Sequence, residues 1–77
     1  MDSKARRIVA ALGGIANVAG VEGRTPRLRA DITDLGKVDL AALRAADTHG
    51  LFKSGSTLEI HVGDDAGRVA AEIAQMR

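Results

Sequence analysis

The sequence predicts an α+β domain: a four-stranded antiparallel sheet with three helices packed on one face, in the order α-β-β-α-β-β-α. Three observations lead there. Apolar residues recur at helical spacing near both ends of the chain, as Ala5, Ile8, Val9 and Leu12 and again as Ala66, Val69, Ala70, Ile73 and Met76. Two stretches alternate with period two, Leu28, Ala30 and Ile32 in one and Leu58, Ile60 and Val62 in the other. Their intervening residues are polar, so the sheet is covered on one face only.

Each element follows in order. Ser3 can cap the first helix, and Gly13-Gly14 ends it. Small apolar residues between flanking glycines make Val18 to Glu22 a short first strand. The second strand starts at Pro26, which a strand tolerates only at its beginning. Gly23 to Thr25 then forms the hairpin connection. Asp34-Leu35-Gly36-Lys37 reads as a turn, and Asp39 caps a second helix whose apolar face is Leu40, Leu43 and Ala46. Gly50 to Lys53 forms the third strand, Ser54-Gly55-Ser56 a tight turn, and Thr57 to Val62 the fourth strand. Gly63-Asp64-Asp65 opens the last helix, with acids where the helix dipole and capping favour them. Gly67 weakens its first turn.

Composition narrows the function. Seventy-seven residues make one small domain, 1–77, near the size at which a single core suffices. With no cysteine, a disulfide framework, a thiolate zinc site and thiol redox chemistry are all excluded. Phe52 is the only aromatic in an otherwise aliphatic apolar set, so stability must come from packing of small side chains. A net charge of +1 with 27 % charged residues lacks the basic excess of a nucleic-acid binder. No apolar run approaches a membrane span, and no secretory signal pattern opens the chain, so a cytoplasmic location and no direct membrane insertion are expected.

The run Gly23-Arg24-Thr25-Pro26-Arg27-Leu28-Arg29 carries the chemistry. It resembles the active-site segment of the glucose-type EIIB domains of the bacterial sugar phosphotransferase system, including the N-acetylglucosamine branch. There the segment reads cysteine, apolar residue, threonine, Arg-Leu-Arg. Ile8 to Gly14, Asn17, Asp34-Leu35, Lys37-Val38-Asp39, Leu43, Gly50, Gly55 and Gly63 also fall at that family's spacing. The resemblance implies the EIIB fold, an antiparallel four-stranded sheet with three helices on one face. It also implies a phosphoryl group passed from a histidine of EIIA to the cysteine and on to a sugar held by the membrane EIIC component. This chain departs from the pattern twice, with Arg24 at the cysteine's place and Pro26 at the threonine's. An arginine cannot serve as the nucleophile.

The candidate phosphate- or partner-binding residues are therefore Arg24, Thr25, Arg27 and Arg29, and no catalytic residue remains. The three arginines either bind an anion or acidic partner, or form a solvated face paired with Glu59 or Asp31. Thr25 could accept phosphate only with a general base, and none is evident beside it. His49 and His61 lack ligand spacing and read as surface histidines, and no metal or other cofactor is expected. The expected function is a non-catalytic EIIB-like module that binds an EIIA-like protein, the EIIC component or a regulator. The alternative is a phosphotransferase component that uses another acceptor or acts within a larger complex. A third reading is an interaction domain that has kept only the fold.

Overall fold

The computed structural model describes residues 3–46 and 48–77. Helix α1 (Lys4–Ala11) begins where the Ser3 hydroxyl accepts a hydrogen bond from the Arg6 backbone N–H at 3.1 Å. It ends at Gly13 and Gly14, whose φ values of 102° and 98° suit glycine alone, and the Gly14 N–H reaches back to the Val9 carbonyl at 2.9 Å. A short 3-10 turn, Ile15–Asn17, leads into β1 (Val18–Arg24), followed by β2 (Arg27–Ile32) and a second 3-10 turn, Leu35–Lys37. Helix α2 (Leu40–Ala45), β3 (Gly50–Ser54), β4 (Thr57–His61) and α3 (Ala66–Met76) complete the order. The α+β arrangement is the expected one.

All strand pairs are antiparallel and the sheet order is β1-β2-β4-β3. Alternation decides the faces. Leu28, Ala30, Ile32, Leu58 and Ile60 point toward the helices and are buried with Ile8, Leu12, Leu43, Val69 and Ile73. Arg27, Arg29 and Asp31 point outward and are exposed.

The core is wholly aliphatic, because Phe52 is 66 % exposed. Its register opposite Glu59 puts it on the outer face, while the preceding Leu51 packs inward. Leu40 also departs from expectation, being 48 % exposed. The helix has only six residues, and Leu43 with Ala46 fills its inward face. Leu40 instead lines the rim of a hollow with Leu35, Val38 and Leu51.

Two polar ties position the elements. Buried Asn17 donates to the carbonyls of Leu12 (2.6 Å) and Asp34 (2.9 Å), and its Oδ1 accepts from the Asp34 N–H (2.8 Å). It joins the end of α1 to the loop after β2. Asp65 precedes α3 but makes no side-chain cap, contrary to the capping expectation. Its backbone is not extended (φ −95°, ψ 13°), the geometry that lets a capping side chain fold back over the helix N–H groups. The carboxylate turns to Lys4 Nζ (3.4 Å) and Arg68 (3.2 Å), while Lys4 also donates to the Val62 carbonyl (2.8 Å). Burial pushes the Asp65 carboxyl up, but the Lys4 hydrogen bond and charge, its own backbone N–H and Arg68 outweigh this and hold it below its ordinary value.

Candidate anion and partner site

The β1–β2 hairpin carries the four candidate residues. The connection is Thr25-Pro26, with a cis peptide bond between them, and not Gly23 to Thr25 as the sequence suggested. Gly23 pairs with Leu28 and Arg24 with Arg27, so β1 runs two residues further than expected and β2 starts after the proline. Pro26 has no N–H to give a ladder, which moves it from the strand into the turn. Its carbonyl accepts from the backbone N–H groups of Val62 (3.0 Å) and Gly63 (3.1 Å), tying the hairpin tip to the segment that leads into α3. Gly23 explains the close approach of β1 to that helix. A Cβ there would lie 2.8 Å from the Ala66 carbonyl oxygen and 2.9 Å from the Gly67 Cα.

Register sorts the charges of the outer face into rows. Arg24, Arg27 and His61 are successive cross-strand partners, with Gly50 next on β3. The adjacent outward row is Glu22, Arg29, Glu59 and Phe52. Arg29 therefore sits between two acids, while Arg27 sits between another arginine and a histidine. Arg24, Thr25, Arg27 and Arg29 are all exposed. The Arg24 guanidinium meets Glu22 at 3.1 Å, but both side chains are over half exposed and the pair contributes little. Among the described residues no ion pair within 4.0 Å includes Arg27 or Arg29. The expected alternative of pairing with Glu59 is in register for Arg29 without closing. Asp31 is occupied instead by the Thr57 hydroxyl, which donates to it at 2.7 Å.

This geometry can be set beside known proteins. No family model matches the chain. It is 47 % identical over 76 residues to the "PTS system N-acetylglucosamine-specific EIIB component" of Streptomyces coelicolor, covering 99 % of each protein. The chain belongs to the EIIB components of the phosphotransferase system. A crystal structure of one domain of the PTS system IIabc component from Clostridium difficile superimposes with a TM-score of 0.78. It covers 95 % of this chain and 77 % of that one at 15 % identity, a likeness of fold.

This EIIB chain has no cysteine, and the hairpin offers guanidinium groups and one hydroxyl. Such groups hold an anion well and attack phosphorus poorly. The described residues contain no cluster of three or more His, Asp or Glu able to hold a metal ion. No helix among them is long and apolar enough to cross a membrane.

Sequence reasoning missed one juxtaposition in this EIIB sheet. His49 and His61 stand with ring centroids 5.8 Å apart, edge to face at 68°. The signal was available: a two-residue turn at Gly55-Ser56 pairs Ser54 with Thr57 and, counting back along the ladder, Gly50 with His61. His49 follows at the next position.

Proposed function

We propose that this EIIB chain acts as a non-catalytic partner-binding or regulatory module, one domain over residues 1–77, in the cytoplasm. The partner is an EIIA-like protein, with the EIIC component or a regulator as further occupants of the same surface. One observation carries the reading. The position where the resemblance places the phosphorylated cysteine is held by Arg24, at the hairpin tip and open to solvent. A guanidinium stays protonated at every accessible pH, so it cannot form the phosphoryl intermediate. It adds a cation beside Arg27, and the cross-strand register supports a surface that receives anionic groups. The 47 % identity to an N-acetylglucosamine-specific EIIB component supports a place in uptake of that amino sugar.

The test is titration of the isotopically labelled chain with an EIIA protein from a co-encoded phosphotransferase system, followed by amide chemical shifts. Shifts centred on Arg24, Arg27 and Arg29, lost in the triple Arg→Gln variant, are expected. Absence of any shift there with every cognate EIIA would overturn the docking reading.

A further inference from the structure

The two edges of the sheet differ. At β1 the ladder shifts register between Val18 and Gly20, Glu22 and Arg24 present charge, and Gly23 lies against the start of α3. Bulges, charges and covering helices keep a sheet edge from pairing with another chain. At the other edge β3 pairs with β4 in unbroken register over Gly50–Ser54 and carries a single charge, Lys53. Among the described residues no strand lies on its far side, and four of its five residues are exposed. Its outward backbone N–H and C=O groups are open to a further strand.

Exposed apolar side chains gather at this same edge. Phe52, 66 % exposed, and Leu40, 48 % exposed, are the large apolar residues left open among the described residues. Phe52 stands on the outer face of β3, opposite Glu59. On the helix face Leu40 borders a hollow with Leu51 and Lys53 of β3. The strand therefore has an apolar group on each face beside an unpaired backbone, as in sheets that are extended by a strand of another chain.

The occupant that this edge fits is itself. Antiparallel pairing about a two-fold axis at Phe52 uses all five residues, with Phe52 opposite Phe52 of the second copy, Leu51 opposite Lys53 and Gly50 opposite Ser54. No charge then faces a like charge. The outward neighbours of Phe52 on its own strand are Gly50 and Ser54, both small, so the two rings have room to meet across the axis, a favourable cross-strand pair. Moving the axis to Lys53 would set two ammonium groups opposite each other. Moving it to Leu51 would separate the two rings and leave Ser54 beyond the paired strand.

We infer that two copies of this chain associate through β3, joining their four-stranded sheets into one continuous antiparallel sheet. The Arg24–Arg27 hairpin belongs to the opposite side of the sheet, so the inference stands independently of the partner-docking reading. A five-residue strand is a small part of the roughly 20–30 residues a side of a stable interface. Association is therefore weak and set by concentration.

The experiment is a concentration series of the full chain, read by amide chemical shifts and by sedimentation velocity. Leu40 and Gly50 to Ser54 are expected to shift with concentration while Glu22 and Arg24 hold still, and the sedimentation coefficient is expected to rise. Phe52→Lys, at an exposed position that leaves the core untouched, sets like charges across the axis and should weaken association several-fold or more. The register has its own test, because the natural chain has no cysteine. Directly opposed strand residues lie about 4.5–5.5 Å apart at Cα, within disulfide reach. With oxidised glutathione, Phe52→Cys should cross-link to a dimer much faster than Ser54→Cys on the same face. Shifts at β3 that do not depend on concentration would overturn the inference and leave the edge to a different protein. So would a dimer that persists unweakened in Phe52→Lys, or cross-linking of Ser54→Cys as fast as that of Phe52→Cys.

Discussion

Asn17 and Asp65 hold the fold in ways that a side-chain inventory does not reveal, because their partners are distant or are backbone groups. Removing the Asn17 amide in Asn17→Ala, at a residue that is 5 % exposed, leaves the Leu12 carbonyl and the Asp34 N–H without their partner, while the Asp34 carbonyl keeps the Lys37 N–H at 3.1 Å. The orphaned Leu12 carbonyl, the buried one of these bonds, leads to an expected loss of about 1–3 kcal/mol in urea unfolding. The sequence showed Asn17 as a position of family spacing without showing its role, since Leu12 and Asp34 meet it only once α1 has turned through Gly13-Gly14. For Asp65 the sign of the pH effect is fixed by its lowered carboxyl. The ionised form is favoured by folding, so its contribution is present above the ordinary value of 3.8 and is lost as pH falls through the lower folded value. Thermal melts of wild type and Asp65→Asn should therefore differ most near neutrality and converge in acid. A gap that widened in acid would contradict the Lys4–Asp65–Arg68 arrangement.

At the scale of elements, alternation found the inward residues of β2 and β4 because a period of two leaves little choice once one face is buried. Hairpin tips were less legible. A proline can start a strand or sit in a turn, and only the ladder shows that Arg24 faces Arg27 across Thr25-Pro26. Helix α2 shows a second limit: Leu40 has helical spacing to Leu43, yet the helix is too short to bring its first turn over the core. Packing of β1 under α3 gives a direct prediction. Gly23→Ala puts a methyl group into the Ala66 carbonyl, and overpacking of this kind should lower stability by about 1–3 kcal/mol in the same unfolding assay. Gly67→Ala, with open space around its Cβ position, should be neutral or stabilise α3 by up to about 1 kcal/mol. Equal effects at the two glycines would contradict the approach of β1 to the helix start.

Across the whole molecule, three helices and one sheet face enclose an aliphatic core and leave the opposite face free to display charge. The fold was legible because local pattern and family spacing pointed to the same order of elements. The candidate site was legible as a set of residues, but its division into a cationic row and a mixed row needed the register of all four strands. That division sets Arg24, at the place where the resemblance puts the nucleophile, within the surface proposed to bind a partner. The most direct measurement is phosphoryl transfer from phosphorylated EIIA to the wild type, to Arg24→Cys and to Thr25→Ala. In the cysteine variant the thiolate attacks phosphorus, the S–P bond forms and the histidine leaves. The account predicts no stable label on the wild type and label on Arg24→Cys. Label on the wild type that disappears in Thr25→Ala would contradict it.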